Sequence, residues 1–471
     1  MLRLYKNSEE IAVCEDNKVF TYQQLNSTVD KMVGYLLAHD LKKVAMATEQ
    51  GFFNYCLEWA CYLSGATFCC YDIDAPIDRI KYCNQIFCPD IVVSDRELKD
   101  ISTVTFESLL ENNYRQSKQH FNNEVAYVLF TSGSTGQPKG VMVKRKALEN
   151  VVLWAKENYS IDSSTVYAQY SKNSFDLSVL DIFLGISLGA KLIPFIGINK
   201  LLPGNLIRKY QITHWHSVPS AFIALQNRRD LTSETLASMK NIVFCGETLY
   251  TQLAENIFSS NPNVILWNTY GPTEATIFCS AIKLTKDTLQ NFSHLNVSIG
   301  TPIVPMQFLI DSDSCEGELL IGGENVAIGY INNPDNPSFF EMSSGDSTLP
   351  IYRSGDIVKI VNFNYYFVCR KDNQVKVAGN RFDLDEISRV LHKIGFYNVA
   401  SVLVGKLIVS FIQKQDKQNF SIEQIKVELE QQLPKYGVPT RIILLDEMPL
   451  NANGKIDKNK LKEIALSKGD N

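Results

Sequence analysis

Short apolar runs rich in β-branched residues alternate with longer amphipathic stretches from about residue 20 to about residue 360. The runs predict strands, among them Val125–Phe130, Ile212–Val218, Ile242–Cys245 and Val264–Trp267. Helical patterns such as Leu249–Ile257 follow the runs after a turn. The alternation predicts parallel-rich β-sheets with right-handed crossovers, in which ligands bind beyond the carboxyl ends of the strands.

The pattern changes after residue 371. The elements predicted there are a strand pair, Val399–Val404 and Leu407–Ile412, around Gly405-Lys406, a helix with a capping box of Ser421 and Gln424 that ends at Pro434, a strand at Arg441–Leu445, and a final polar helix. The chain is therefore predicted to have an α/β fold with two domains. Residues 1–371 form a large domain, and residues 372–471 form a small α+β domain.

Charge and hydropathy narrow the classes of function. The net charge of −5 and the mixing of basic with acidic residues argue against a nucleic-acid ligand. The first residues lack the apolar core of a signal peptide. The most apolar stretch, Leu180–Ile198, is interrupted by Asp181 and Lys191, so no membrane span is predicted. We expect a cytoplasmic protein.

The eleven cysteines do not predict a disulfide framework, because their number is odd and the chain is long enough to bury a core without one. Closely spaced pairs such as Cys56/Cys61 and Cys83/Cys88 have no histidine nearby. A zinc site is therefore not expected, and reduced, mostly buried thiols are the simpler interpretation.

The strand Val125–Phe130 leads into a loop of small residues, Thr131, Ser132, Gly133, Ser134, Thr135 and Gly136, followed by Gln137, Pro138, Lys139 and Gly140. Backbone N–H groups and hydroxyls in such a loop can surround a phosphate. A P-loop does not fit, because Gly140 stands where Ser or Thr should follow Lys139 and Pro138 opposes a helix there. A flexible linker does not fit a preceding buried strand.

This loop resembles the phosphate-binding loop of the adenylate-forming superfamily, which includes peptide-synthetase adenylation domains, acyl-CoA synthetases and luciferases. Further signatures follow in the order typical of that family: Asn268–Glu274, Gly317–Gly323 with Gly329-Tyr330, Tyr352–Asp356, Arg370–Lys376 with Gly379, and Asn453–Asp457. The resemblance covers nearly the whole chain. It implies that an ionised carboxylate is joined to the α-phosphate of ATP, a reaction that requires charge neutralisation and alignment but no general base.

The resemblance also implies the residues of the nucleotide site. The ATP-binding set is Thr131, Ser132, Gly133, Ser134, Thr135, Gly136, Lys139, Asn268, Thr269, Tyr270, Gly271, Pro272, Thr273, Asp356, Arg370 and Lys455. Within it, Tyr270 is expected to stack on adenine, and Asp356 to accept the ribose hydroxyls. Lys455 is expected to bridge the substrate carboxylate and the α-phosphate as the catalytic residue. Glu274 is expected to bind Mg²⁺.

The segment Asn173–Val179 matches the amino-acid pocket motif of the family, which implies that Asp176 pairs with a substrate ammonium. A carboxylate facing an apolar pocket requires a cation, so it selects amino acids over fatty or aryl acids. The alternative reading of Asp176 alone is a helix N-cap. By the same matching the substrate pocket consists of Asp176, Leu177, Leu180, Ser217, Val243, Cys245, Thr269, Ile277, Phe278 and Lys455.

The bulky Ile277 and Phe278 predict a shallow pocket for a small side chain, and the motifs look most like those of D-alanine–carrier protein ligases. That resemblance implies a phosphopantetheinylated carrier protein in trans, since no carrier segment follows Lys455. It also implies that the small domain is a mobile lid with its hinge at Asp372 and a thiolation loop at Gly379. Two departures from the family pattern are Ser354 in place of Thr and Cys369 in place of Gly.

Three alternatives remain at this stage: a peptide-synthetase-type enzyme for another amino acid, an acyl-CoA synthetase, and an inactive family member with a binding role. Asp176 argues against the second. The joint presence of Lys455, Glu274, Asp356 and Arg370 argues against the third.

Overall fold

The structure is a computed structural model. It describes residues 1–6, 9–15, 18–111, 120–131, 137–294, 296–312, 314–344, 347–371, 374–377, 379–396, 398–414, 421–449 and 456–467. The chain divides into two compact units. The first contains Met1–Ile73, Asn84–Phe130 and Gly140–Lys371, and the second contains Asp74–Cys83, Thr131–Lys139 and Asp372–Asn471.

The helices of the described residues begin and end as follows: α1 (Tyr22–Ala38), α2 (Phe52–Ser64), α3 (Ile77–Phe87), α4 (Arg145–Asn158), α5 (Asp176–Ser187), α6 (Ile198–Leu201), α7 (Pro203–Tyr210), α8 (Pro219–Asn227), α9 (Thr251–Ser260), α10 (Asp385–Lys393), α11 (Ile422–Gln432) and α12 (Lys458–Ser467). None of these helices is long and apolar enough to cross a bilayer.

The strands of the described residues are β1 (Ile11–Glu15), β2 (Lys18–Thr21), β3 (Lys43–Ala47), β4 (Thr67–Cys70), β5 (Ile91–Ser94), β6 (Val125–Thr131), β7 (Lys139–Lys144), β8 (Val166–Gln169), β9 (Lys191–Pro194), β10 (His214–Ser217), β11 (Asn241–Phe244), β12 (Ile265–Tyr270), β13 (Ser280–Leu284), β14 (Thr301–Pro302), β15 (Met306–Asp311), β16 (Glu316–Gly323), β17 (Gly329–Tyr330), β18 (Phe339–Ser344), β19 (Ser347–Val361), β20 (Asn364–Arg370), β21 (Gln374–Val377), β22 (Asn380–Asp383), β23 (Val399–Val404), β24 (Leu407–Gln413) and β25 (Arg441–Leu445).

Two parallel-rich sheets form the centre of the first unit. A nine-stranded sheet has the order β14-β13-β12-β11-β10-β8-β9-β1-β2, and every pair from β12 to β1 is parallel. A six-stranded sheet has the order β17-β7-β6-β4-β3-β5. The strands β10 and β11 are buried along their whole length, as expected for parallel strands covered on both faces. The predicted α/β class is confirmed.

The nine-stranded sheet separates two hydrophobic cores. On one face, Val243 and Cys245 belong to a core that also contains residues of α1, α2, α4 and α5. On the other face, Ile242 and Phe244 belong to a core with residues of α7, α8 and α9. This alternation follows from the two-residue period of a strand. It determines which side chains of β10, β11 and β12 can line a site beside α5.

The expected alternation of strands and helices stops earlier than residue 360. Beyond the short 3₁₀ turn Leu289–Phe292, β15, β16, β18, β19 and β20 form an antiparallel sheet with the order β15-β16-β19-β18 and β20 paired to β19. Adjacent strands here are joined by short connections, such as the turn between β19 and β20, that need no crossover helix. The sequence prediction was wrong for this part of the first unit.

The C-terminal part of the second unit has the predicted α+β content. The strands β23 and β24 pair across Gly405-Lys406, and β25 pairs with β24 in parallel. The capping box is present, because the Ser421 hydroxyl accepts from the Gln424 N–H and the Gln424 side chain accepts from the Ser421 N–H. The helices α10 and α11 cover the three-stranded sheet through residues such as Ile387 and Leu429.

Candidate active site

The carboxylate of Asp356 is buried on β19 and held by two donors. The Tyr270 hydroxyl donates to its Oδ2 at 2.5 Å, and Nη1 of Arg370 donates to its Oδ1 at 2.7 Å. Burial, followed by the charge of Asp356, raises the pKa of Tyr270 well above its ordinary value. The phenol therefore keeps its proton and remains a donor. The three residues come from the ends of β12 and β20 and from the middle of β19, and the structure brings them together as one cluster.

The backbone before Asp356 has a conformation that depends on glycine. Gly355 has a φ of +72°, and a Cβ atom at this position would lie 2.8 Å from Nη2 of Arg370. The Ser354 hydroxyl donates to the Leu319 carbonyl at 2.6 Å and accepts from the Asp356 N–H at 3.0 Å. The substitution of Ser for the usual Thr therefore keeps the hydroxyl contacts that fix Asp356.

Glu274 lies in the 3₁₀ turn Thr273–Ala275 and is almost completely buried. Its Oε1 accepts a hydrogen bond of 2.6 Å from the Tyr330 hydroxyl, which orients the carboxylate. Across the described part of the chain, no three His, Cys, Asp or Glu side chains cluster to hold a metal by themselves. A single oriented carboxylate fits Mg²⁺, which is bound by one or two carboxylates together with substrate phosphates.

The turn that contains Glu274 is preceded and followed by constrained backbone. A Cβ atom at Gly271 would lie 2.4 Å from the Cα of Phe278, so the close approach of the two segments requires glycine. Thr276 and Ile277 have φ values of +60° and +68°, which are rare for β-branched residues. Such strain persists where the surroundings impose it, and it is often found at functional sites.

Asp176 is the first residue of α5, and Phe175 with extended backbone occupies the N-cap position. The alternative of an N-cap aspartate is therefore wrong. The side chain is only 8% exposed, and burial raises the pKa of Asp176 to about 6, with a further increase from the charge of Glu274. Hydrogen bonds from the Thr273 hydroxyl and the Leu177 N–H, and the nearby His216, lower the pKa. Thr273 thus links the Asp176 carboxylate to the turn that contains Glu274.

Six of the predicted pocket residues are buried in one apolar core. The members of one buried core that coincide with the predicted pocket are Leu177, Leu180, Val243, Cys245, Ile277 and Phe278. The Cys245 thiol lies 3.9 Å from the Ile277 carbonyl, so the end of β11 meets the strained turn directly. Thr269 is also buried, and its hydroxyl donates to the Phe244 carbonyl at 2.9 Å.

Ser217 lies on the opposite face of the nine-stranded sheet from the predicted pocket residue Val243. It pairs in register with Phe244 on the far face of the sheet, and its hydroxyl accepts from Nε1 of Trp215 at 2.7 Å. His216 is instead in register with Val243 and therefore shares its face. The place of Ser217 in the pocket stays a prediction.

A buried polar network under α5 was not predicted from the sequence. Nδ1 of His216 and the Tyr167 hydroxyl both contact Oδ1 of Asp181 at 2.9 Å, and the His216 and Asp181 side chains are fully buried. Burial raises the pKa of Asp181, and His216 opposes that shift. The one sequence signal was a charge, Asp181, inside the most apolar stretch of the chain.

Several predicted residues lie at the edge of the described chain or outside it. Thr131 ends β6, Lys139 begins β7, and Gly379 directly precedes β22 with a φ of +81°.

Two further predicted residues lie within the described chain. Asn268 is buried, and its Nδ2 donates to the Ser298 carbonyl at 2.8 Å. Pro272 is the N-cap of the 3₁₀ turn. The predicted residues that lie outside the described residues are Ser132, Gly133, Ser134, Thr135, Gly136, Asp372 and Lys455.

Comparisons with known proteins identify the family of the chain. Residues 3–331 match the family model of the AMP-binding enzymes. The D-alanine–D-alanyl carrier protein ligase of Staphylococcus haemolyticus is 28% identical over 97% of this chain and 96% of its own length. The corresponding ligase of Staphylococcus aureus is also 28% identical, with the same coverage of both chains.

Solved structures have the same fold. The Vibrio cholerae adenylation domain AlmE, in complex with glycyl-adenosine-5′-phosphate, superposes with a TM-score of 0.85 at 26% identity and covers 98% of this chain and 96% of that chain. Holo-PA1221, a protein with adenylation and carrier domains, has a TM-score of 0.84 at 22% identity and covers 96% of this chain and 81% of that chain. At this identity the similarity supports the fold alone.

The family match extends over more than two thirds of the sequence. The chain therefore belongs to the AMP-binding enzyme family and is an adenylate-forming enzyme.

Proposed function

We propose that this enzyme activates a small amino acid, with D-alanine as the best substrate, and transfers it to the phosphopantetheine thiol of a carrier protein in trans. In the first step a carboxylate oxygen of the amino acid attacks the α-phosphorus of ATP, and the bond to the leaving pyrophosphate breaks. In the second step the thiol sulfur attacks the acyl carbon, AMP leaves with the bonding electrons, and the thiol proton is released.

The observation on which the proposal depends is the position of Asp176. Its carboxylate is buried at the start of α5, beside the turn that contains Thr273 and Glu274, and the next residue, Leu177, belongs to a buried apolar core. A carboxylate there is unfavourable unless a cation pairs with it, and the ammonium of an amino acid supplies that cation. A fatty or aryl acid would leave the charge unpaired, which disfavours the acyl-CoA synthetase alternative.

The nucleotide would be held by the cluster around Asp356. Each carboxylate oxygen has two acceptor sites, and Tyr270 and Arg370 each occupy one. One acceptor site on each oxygen is therefore left for the two ribose hydroxyls. The hydrogen bond to Asp356 also fixes the Tyr270 ring, which could then stack on adenine. Arg370, whose Nη1 donates to the Ser354 carbonyl at 2.7 Å, would also contact the ribose.

Charge neutralisation at the phosphates is assigned to three groups. When bound, Mg²⁺ would neutralise phosphate charge beside Glu274, whose orientation Tyr330 fixes. The Thr131–Gly136 loop with Lys139 would surround the phosphates with N–H groups and hydroxyls. Lys455 would stabilise the charge between the attacking carboxylate and the α-phosphate. We propose that residues 372–471 act as a lid that carries Lys455, with the hinge at Asp372 and the Gly379 loop serving the thiolation step.

Names of relatives support the choice of substrate. The similar Staphylococcus proteins are named as D-alanine–D-alanyl carrier protein ligases, and the AlmE structure contains a glycyl adenylate. D-alanine and the glycyl group have the smallest side chains among the amino acids. In this chain, Ile277 and Phe278 are large and buried, and the Ile277 carbonyl lies 3.9 Å from the Cys245 thiol. We expect a pocket bounded by these residues to accept only a small side chain.

The test is pyrophosphate exchange with every amino acid, both enantiomers, and with propionate and lactate as acids that lack an ammonium. We expect D-alanine to give the highest kcat/KM, glycine and L-alanine less, and the two other acids almost none. One methyl group contributes about 1 kcal/mol in an apolar pocket, so the preference over glycine should be about fivefold. Preference for a bulky amino acid would favour the peptide-synthetase-type alternative, and exchange with propionate would overturn the role of Asp176.

Replacing Cys245 with alanine should raise L-alanine activity relative to D-alanine by about fivefold. The thiol lies 3.9 Å from the Ile277 carbonyl. In the proposed pocket it borders the substrate methyl, so we expect its removal to make room for the methyl of the other enantiomer. The ratio of kcat/KM values for the two enantiomers measures the effect. Cys61→Ala removes a buried thiol on α2 and should leave the ratio unchanged. An unchanged ratio in Cys245→Ala would refute this wall of the pocket.

A further inference from the structure

The carboxylate of Glu318, on β16, is buried and accepts three hydrogen bonds. The Gly355 N–H donates to Oε1 at 3.1 Å, while Nη1 of Arg353 at 3.1 Å and Nζ of Lys371 at 2.9 Å donate to Oε2. The Glu318 side chain is only 5% exposed. A buried carboxylate with two cationic partners and a backbone donor is fixed in one orientation.

The register between β16 and β19 is irregular at Glu318, and this irregularity leaves backbone groups that need a side-chain partner. Glu318 pairs with Ile357 and Leu320 pairs with Arg353, so three residues of β19 lie opposite Leu319 alone. The extra residues form a bulge whose backbone groups lack ladder partners on β16. Such groups need other partners when they are buried. Glu318 supplies an acceptor for the Gly355 N–H, and Ser354 supplies one for the Asp356 N–H.

The groups that Glu318 fixes flank the residues of the nucleotide cluster. Gly355 directly precedes Asp356, and Lys371 directly follows Arg370. The Lys371 N–H also donates to the Gly355 carbonyl at 2.8 Å, which joins the two segments to each other. Any shift of Gly355 would move the Asp356 carboxylate and displace the guanidinium of Arg370 that lies against it.

We propose that Glu318 is a positioning residue for ribose recognition. It holds the bulge of β19 and the end of β20 so that the Asp356 carboxylate, oriented by Arg370, faces the ribose hydroxyls. The inference rests on the proposed role of Asp356. Glutamine at position 318 has one acceptor oxygen, whereas the site needs one acceptor for Gly355 and another for Lys371 and Arg353. In either orientation its amide N–H₂ group would face another donor.

The experiment compares ATP with 2′,3′-dideoxy-ATP, because the difference between them reports only the contacts to the ribose hydroxyls. The wild-type enzyme should prefer ATP in kcat/KM for pyrophosphate exchange. Glu318→Gln should reduce that preference by about tenfold while the KM for the amino acid changes by less than about twofold. In an Asp356→Asn background, Glu318→Gln should have no further effect on the preference, since it acts through Asp356.

The matched control is Asp311→Asn. Asp311 is exposed on β15, and its Oδ2 accepts from Nη1 of Arg353 at 2.6 Å, the same nitrogen that donates to Glu318. Among the described residues it forms no hydrogen bond with Gly355 or Lys371. It should retain the wild-type preference. If Glu318→Gln fails to fold, Lys371→Gln replaces it, since the lysine is exposed, and should lower the preference by about threefold.

The outcomes separate this inference from the proposed function. A wild-type enzyme with equal kcat/KM for both nucleotides would overturn the role of Asp356 and this inference with it. If Asp356→Asn loses the preference but Glu318→Gln keeps it, the role of Asp356 stands and the inference about Glu318 is refuted. A loss in Glu318→Gln that persists unchanged in the Asp356→Asn background would also refute it.

Discussion

Asp176→Asn is expected to lower kcat/KM for the amino acid by about 100-fold or more while the KM for ATP changes little. Removing one partner of a buried, hydrogen-bonded charge pair costs about 2–5 kcal/mol, and each 1.4 kcal/mol is about tenfold. Asparagine keeps the size of the side chain and an acceptor for the Thr273 hydroxyl. The loss would therefore report the missing charge. Pyrophosphate exchange with both substrates varied in turn measures the two KM values.

The same carboxylate predicts a pH dependence. Burial raises the pKa of Asp176 to about 6, so in the free enzyme the group is ionised above that pH and protonated below it. A protonated Asp176 has no charge to offer the ammonium, and the KM for the amino acid should rise as the pH falls below about 6. The charge of Glu274 raises this pKa further, while the Thr273 hydroxyl, the Leu177 N–H and the nearby His216 lower it. Asp176→Asn should remove the dependence.

The matched control is Asp72→Asn, which removes a partly exposed carboxylate that pairs with Lys172 at 3.0 Å. It should leave the KM for the amino acid within about twofold of the wild type. Equal weakening of amino-acid and ATP affinity in Asp176→Asn would indicate a structural role at the start of α5. A pH profile that the substitution leaves unchanged would refute the assignment of the titrating group.

The elements of the two parallel-rich sheets could be predicted because their signals are local. The run Val125–Phe130 became the strand Val125–Thr131, and Ile242–Cys245 became Asn241–Phe244. Strands that are buried on both faces give continuous apolar runs, and capping boxes use neighbouring residues. The antiparallel region from β15 to β20 was missed because its polar and apolar positions are interrupted by a bulge and by short turns. The strand order of the nine-stranded sheet has no local signal.

The contacts of the site could not be predicted because they join residues far apart in the chain. The Tyr270 hydroxyl reaches Asp356 across 86 positions, and the Tyr330 hydroxyl reaches Glu274 across 56. Each of these residues lies in a signature whose family role was inferred from resemblance, but nothing local to the signatures indicates that they hydrogen-bond to each other. The contacts of Glu318 depend on a register shift between β16 and β19, which only the folded sheet reveals.

The assignment of Lys455 depends on sequence alone, because the residue lies outside the described chain. It follows Asn453-Gly454 and precedes α12. Asp457, directly before that helix, accepts hydrogen bonds from the N–H groups of Asn459 and Lys460. The signature is therefore attached to a structured end of the second unit. We propose that the Lys455 cation stabilises the negative charge that develops between the amino-acid carboxylate and the α-phosphate.

Lys455→Ala is expected to reduce amino-acid-dependent pyrophosphate exchange by a factor of about 10²–10³ or more, with little change in melting temperature. The reason is that adenylation brings two anions together, and losing one preorganised charge-stabilising contact typically has an effect of about this size. Lys462→Ala is the control, because Lys462 is an exposed cation of α12, seven positions further along the chain, and its loss should leave exchange within about twofold. Both variants should bind ATP, as measured by calorimetry, because the cluster around Asp356 is intact. Near-normal exchange in Lys455→Ala would show that another group neutralises the reacting charge, and an equal loss in both variants would indicate a general effect of charge on the second unit.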